Sequence, residues 1–394
     1  MKRKFFITSI FLFLFSIVNA MPVILPMKER AEVIDGLLLD RVKNLLPTLM
    51  RRSGIDMWIL ISREYNEDPI IKTFLPATQH AARRTTVLLI FDRGLEKELE
   101  TLSVSRYAVG EIFSAAWNKE KDGEQWSHLA KLIAERDPKK IALNFSKTYA
   151  LADGISHTEF SIFNSVLPQK FRDRIVSSEP LAVGWLETRS DAEMQIYPQI
   201  VRIAHEILSE GLSESVIHPG ITSTDDVVWW YRDRIRDLGL STWFHPSVSI
   251  ERSTSPETSM SDWTLSLYDS DIIQEGDLLH VDFGITYLRL NTDTQQHAYV
   301  LKSGEIDAPN DLKVALAKAN HLQDILTNNI IIGRTGNEVL ALSLEQAKGD
   351  GLTPSIYTHP IGFHGHAAGA TIGMWDQQSG VPGDGDYPIN SHTA

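Results

Sequence analysis

Gly276-Asp277-Leu278-Leu279-His280-Val281-Asp282-Phe283-Gly284 reads as a strand entering a glycine bend, and a second segment, Tyr287 to Asp293, is placed to return beside it. If the two pair as a hairpin, Asp282 and Asp293, eleven positions apart, project from one side. Two carboxylates that close do not both stay ionised unless a cation compensates them. Taken alone, two turn aspartates on a polar face would be the favoured account of the pair.

A second cluster lies downstream, His359-Pro360-Ile361-Gly362-Phe363-His364-Gly365-His366. Three imidazoles interleaved with glycine and apolar residues are unusual for a surface loop, although a chance run of surface histidines is the bland reading. Imidazole binds divalent metals and, near neutral pH, also serves as a proton or oxyanion partner. In an extended strand His364 and His366 share one face and His359 the other, unless the chain bends at Gly362. The three therefore need not serve one ion.

The chain around these clusters repeats itself. Gly220-Ile221-Thr222 precedes a helical stretch closing at Asp237-Leu238-Gly239-Leu240, and His245-Pro246 follows; Gly333-Arg334-Thr335 precedes another closing at Gly349-Asp350-Gly351-Leu352, and His359-Pro360 follows. The offsets are 20 and 25 residues in the first copy and 19 and 26 in the second. A duplicated helix-then-strand unit implies a pseudo-two-fold domain with a cleft between its halves.

Upstream the pattern changes. Apolar residues recur at helical spacing from Met27 to Met50, with Gly54 as the stop. Met57–Ile61, Thr85–Phe91 and Ile141–Phe145 read as buried strands, with a helix at Gln125–Glu135 between the last two. Helices alternating with short apolar strands indicate an α/β domain. Ser190-Asp191-Ala192-Glu193 is a capping-box pattern opening a helix with Ile196, Ile200, Ile203 and Ile207 on one face, and Pro198 is expected to kink it. The boundary is placed at about residue 185, giving domains 21–185 and 186–394.

The chain has 394 residues, no cysteine and a formal charge of −13, more negative once Lys2, Arg3 and Lys4 are removed. Acidic balance without a basic stretch argues against nucleic acid or an anionic membrane as partner. Without thiols, any metal must be held by His, Asp and Glu. The basic start, the apolar run Phe5–Val18 and the small residues of Val18-Asn19-Ala20 read as a signal peptide spanning residues 1–20, cleaved after Ala20. A soluble periplasmic or extracellular protein is expected.

At its two clusters the sequence resembles the pita-bread metallopeptidases: methionine aminopeptidases, Xaa-Pro aminopeptidases and prolidases, with creatinase as a metal-free relative. Gly276-Asp277 with Asp282 and Asp293 matches the family's aspartate pair, and His359-Pro360-Ile361-Gly362 its His-x-hydrophobic-Gly segment. His366 stands seven residues beyond, where Xaa-Pro-cleaving members carry a second, non-ligand His. Ile217-His218-Pro219-Gly220-Ile221-Thr222 looks like the turn before the family's second helix, and residues 21–185 look like a creatinase-type amino-terminal domain.

The resemblance implies an α/β first domain, an α+β pita-bread second domain, and a two-metal aminopeptidase acting on peptides with Pro in second place. Asp282, Asp293 and His359 would bind metal, His366 would act on the substrate or the developing oxyanion, and His245 and His364 would contact substrate. Two divalent ions are implied; a carboxylate-rich, sulfur-free ligand set favours Mn²⁺, with Co²⁺ or Zn²⁺ as alternatives. A peptide substrate is implied, and a homodimer by analogy. Phe283, Phe363 and Trp375 are candidate apolar walls.

Two departures stand out. The family completes its site with two glutamates after the His motif, whereas the last Glu here is Glu345. A carboxy-terminally truncated chain, with an incomplete second domain and little activity of its own, is therefore expected. Leu265 stands in the neighbourhood where many relatives place a substrate-contacting His. Both departures favour a non-catalytic binding scaffold as one alternative; a creatinase-like, metal-free C–N hydrolase is another, against which Asp282, Asp293 and His359 argue.

Overall fold

The computed structural model describes residues 23–251 and 271–394. The signal-peptide reading of residues 1–20 and the Leu265 departure lie outside them. Among the described residues no helix is long and apolar enough to cross a membrane.

The chain opens with α1 (Met27–Asp40), which runs through a single π turn into α2 (Leu46–Arg52). Gly54, at φ 62°, ends the run. Next come β1 (Met57–Arg63), α3 (Pro69–Phe74), β2 (Thr85–Phe91), β3 (Glu100–Ser103) and β4 (Ser114–Ala115). They are followed by α4 (Lys119–Asp122), α5 (Gln125–Arg136), β5 (Ile141–Leu143), α6 (His157–Val166), α7 (Gln169–Arg172), β6 (Ile175–Ser177) and α8 (Glu179–Glu187).

The six strands form one mixed sheet in the order β4-β3-β2-β1-β5-β6. Trp58 and Leu60 of β1 enter the core on one face, and Met57, Ile59 and Ile61 the core on the other. A strand covered on both faces reads as an unbroken apolar run, which made β1 visible in the sequence. Strands β3, β4 and β6 are short and mostly not buried, so no apolar run marks them as one marks β5.

The second half begins with α9 (Asp191–Gly211), capped by the reciprocal Ser190–Glu193 box and continuing through Pro198 without a break. Then follow α10 (Thr224–Asp237), β7 (Ser247–Glu251), β8 (Leu278–Phe283), β9 (Thr286–Tyr287), β10 (Leu290–Asn291) and β11 (Thr294–Tyr299). Helices α11 (Asn310–Asn329) and α12 (Gly336–Gly349) and the strands β12 (Ile361–Gly362) and β13 (Gly365–His366) complete the main elements.

The duplication is present in detail. Ser223 with Asp226 caps α10 and Thr335 with Glu338 caps α12, the same capping box at the same place in each copy. His-Pro then leads toward β7 in one copy and β12 in the other. The α/β first half and pita-bread second half expected from the sequence are both observed.

One pairing differs from expectation. Tyr287–Asp293 does not return beside β8; most of it is taken up by the β9–β10 hairpin, with Leu290 opposite Tyr287. The strand that pairs with β8 is β11, beginning one residue after Asp293, with β7 on the other side of β8. The cause is local: Leu288 and Arg289, at φ 55° and 64°, turn the chain back after two residues.

Candidate metal centre

Strand β8 alternates. Leu279, Val281 and Phe283 enter the core, so His280 and Asp282 share the opposite face. Gln295 lies across from Asp282 and His297 across from His280. Asp293, two residues before Gln295, follows the same alternation and meets Asp282. The Asp282 carboxyl is pushed up to about 7, by burial first and then by the charge and hydrogen bonding of Asp293. Its Oδ1 is buried and has no hydrogen-bond partner among the described residues.

The histidine segment folds back on itself. Ile361 pairs with His366 and Gly362 with Gly365, leaving Phe363 and His364 at the turn. Gly365 is required twice over: its φ is 91°, and a Cβ there would overlap the Trp243 indole. The chain takes the bend that the sequence left open, turning directly after Gly362, and not the extended strand. It brings the rings of His359 and His366 to 3.9 Å between centroids, while His364 is carried elsewhere.

His359 Nε2 lies 3.5 Å from Asp293 Oδ2. One potential ligand atom each from Asp293, His359 and His366 all fall within 4.8 Å of one another, the one such group among the described residues. Burial and the neighbouring His359 lower the His366 pKa, against the pull of Asp293, which favours the neutral ring with a free lone pair. Trp243 packs edge-on against His366 at 4.9 Å and is itself fixed by Nε1 donating to the Thr292 carbonyl at 2.9 Å. Tyr357 packs 5.6 Å from His359, and burial together with Asp293 and Asp282 raises its phenol, keeping the hydroxyl protonated beside the carboxylates.

Not every sequence candidate joins this group. His364 Nε2 donates to the Pro69 carbonyl of the first domain at 2.9 Å, and burial lowers its pKa. His245 is exposed and tied to α10, where Arg232 Nη1 donates to its Nδ1 at 3.1 Å and Trp229 packs on its ring. Phe283 belongs to the core, Phe363 lies under the Arg289 guanidinium, and Trp375 is exposed.

Sequence reasoning missed the anchors of the hairpin. Arg189 Nη2 donates to the Ile361 carbonyl at 2.8 Å; Asn291 Nδ2 donates to the Gly362 carbonyl at 2.6 Å and the Phe363 carbonyl at 3.2 Å. Nothing in the sequence separates such a buried Arg or Asn from an exposed one.

A divalent cation fits these residues. It would give the orphaned Asp282 Oδ1 a partner and relieve the crowding of two acids, and carboxylate with neutral imidazole is a suitable donor set.

Residues 199–383 match the sequence model of metallopeptidase family M24. Among solved structures, the chain is similar to the X-Pro aminopeptidase of Thermotoga maritima, with a TM-score of 0.58 and 18% identity over 88% of each chain. It is similar to a dipeptidase of Pyrococcus horikoshii, with a TM-score of 0.53 and 15% identity over 88% of this chain and 87% of that one. It is also similar to the dipeptidase PepE of Mycobacterium ulcerans, with a TM-score of 0.52 and 14% identity over 94% and 88%. At these identities the likeness is one of fold. No curated protein matches the chain.

Proposed function

We propose, the second half of the chain being a member of metallopeptidase family M24, that the protein is a two-metal aminopeptidase releasing the first residue of peptides with Pro in second place. The observation that carries this reading is the convergence of Asp293, His359 and His366 beside the buried pair formed with Asp282.

Asp282, Asp293 and His359 would hold the ions, Mn²⁺ first on the carboxylate-rich donor set, with Co²⁺ or Zn²⁺ as alternatives. Such ions, when bound, polarise the scissile carbonyl and lower the pKa of water. His366, packed against Trp243, would hydrogen-bond the carbonyl oxygen as it gains charge; a donor in that role contributes about 2.7–4 kcal/mol to transition-state stabilisation. The Tyr357 hydroxyl borders the same space as a second donor. Proline after the scissile bond removes an amide hydrogen and fixes φ, so the pocket must read shape instead of a backbone donor.

A binding scaffold without turnover is the second reading. The observation favouring it is the donor count among the described residues: two aspartates and two histidines suffice for one four-coordinate ion, not for two.

The test loads the purified protein with Mn²⁺, removes free metal, and combines elemental analysis with release of the first residue from Xaa-Pro peptides and their Xaa-Ala counterparts. Bound Mn²⁺ with Pro-dependent release is expected of the natural full-length protein. No retained metal removes the peptidase reading, and retained metal without release leaves the scaffold. Export is proposed alongside, from the basic and then apolar first twenty residues; amino-terminal sequencing of the mature protein should begin at Met21.

A further inference from the structure

We infer that the segment Pro69–Pro76 of the first domain is a brace that sets the spacing between the aspartate-bearing and histidine-bearing parts of the centre, with His364 and Arg289 as its positioning residues. Its bearing on catalysis rests on the peptidase reading; its geometry does not.

Two contacts from opposite sides meet this one segment. From the histidine hairpin, His364 Nε2 donates to the Pro69 carbonyl at 2.9 Å; a carbonyl only accepts, so the ring carries its proton on Nε2. From the turn between the two aspartates, Arg289 Nη1 donates to the Leu75 carbonyl at 2.6 Å and Nη2 to the Pro76 carbonyl at 3.2 Å. The Arg289 guanidinium also lies over the Phe363 ring at 5.7 Å, joining the two sides directly.

The turn that presents Arg289 is strained. A two-residue hairpin turn with both φ values positive selects Asn and Gly, yet here it is built from Leu288 and Arg289. Side chains persist in that conformation only where their surroundings over-determine it, and such positions concentrate at functional sites. The surroundings of Arg289 include the brace, Phe363 and the Asp35 carboxylate of α1.

The segment itself is rigid. Asp68 caps α3, its Oδ1 accepting from the Ile70 amide at 2.7 Å and its Oδ2 from Asn144 Nδ2 at 2.8 Å. Phe74 stacks on Trp185 at 4.5 Å and 7°, and Trp185 Nε1 donates to Thr73 Oγ1 at 2.7 Å. A contact made to so fixed an element transmits its position to the short hairpin of two residue pairs.

The test uses the full chain, first without metal. Amide hydrogen exchange over residues 359–367 and 286–293 is compared for wild type, His364→Ala, His364→Gln and Arg289→Met. Gln carries an N–H donor to where Nε2 sits. His364→Ala should speed exchange in 359–367 roughly ten-fold, the loss of about one hydrogen bond, and also raise it in 286–293, with the melting temperature little changed. His364→Gln should restore both segments, and Arg289→Met should loosen both from the other side, carrying the test even if His364→Ala does not fold. Unchanged exchange, loosening confined to the mutated side, or failure of Gln to restore would overturn the brace.

A second arm titrates Co²⁺ and reads its visible spectrum. His364→Ala should weaken binding about 10–100-fold, as for a residue that orients ligands, and His364→Gln should recover it. If wild type binds no Co²⁺, the peptidase reading fails while the exchange arm still decides the brace.

Discussion

The two acids and the two imidazoles of the centre are held by different means. Asp282 sits within a strand paired on both sides, to β7 and to β11, and the reverse of that strand enters a large core that includes Ile200, Val227, Tyr231, Leu279, Val281 and Phe283. His359 and His366 flank a hairpin of two residue pairs, and the core of that half is a small group around Val339, Leu340, Leu344 and Ile356. Ladder and burial fix the carboxylates cooperatively; a few side-chain hydrogen bonds, from Arg189, Asn291 and His364, fix the imidazoles one by one. One copy of the duplication supplies a rigid platform and the other an adjustable partner, although both begin with the same helix cap.

Core truncation gives the largest contrast. Leu279→Ala empties a fully buried site behind Asp282 and should cost about 4 kcal/mol, whereas Leu344→Ala, in the smaller core, should cost about 2 kcal/mol, both within the usual range of about 2–5 kcal/mol for such changes. Urea unfolding followed by fluorescence measures both; equal costs would erase the distinction between platform and partner.

Next in size is the link between the halves. Asp293 touches Asp282 on one side and His359 on the other. Asp293→Ala should weaken Mn²⁺ binding by more than about 100-fold, beyond the 10–100-fold typical of an outer partner, with little change in the urea midpoint. Equilibrium dialysis reads it. An affinity within a few-fold of wild type would mean that the acids do not bridge the halves.

The contrast also explains what was legible in the sequence. The platform announced itself through Gly276-Asp277, the aspartate spacing and the Ser190–Glu193 cap, because each is a local signal. The strand partner of β8 was misjudged because a two-residue turn at Leu288-Arg289, unfavourable for those residue types, intervened. In the histidine half the residue types were legible and their arrangement was not. Whether Gly362 bends the chain depends on Trp243 against Gly365 and on Asn291 beneath the turn, contacts that leave no periodicity. His364, read as facing substrate, is instead engaged by a carbonyl 295 residues away.

The smallest effect tests whether the partner half can be loosened without touching the platform. Glu187, at the end of α8, joins the first domain to the histidine half: Oε1 accepts from Asn390 Nδ2 at 2.9 Å, while Oε2 is buried without a hydrogen-bond partner among the described residues and faces Gly369. Burial raises its carboxyl from 4.5 to about 7, only partly offset by Asn390 and Arg52. A carboxyl raised on folding makes the native state bind the extra proton, so stability is greatest below the unfolded value and declines as pH climbs toward the folded one. Between pH 4.5 and 6.5 the loss attributable to Glu187 should be on the order of 2 kcal/mol. Glu187→Gln keeps an acceptor for Asn390 and removes the titration, so the wild-type-minus-variant difference isolates this carboxyl from Asp282 and Asp68, which burial also raises. Urea midpoints across that window should fall more steeply for wild type, and exchange should rise first in 359–367. Parallel slopes would assign the pH sensitivity to the aspartate platform and reverse the ranking of the two halves.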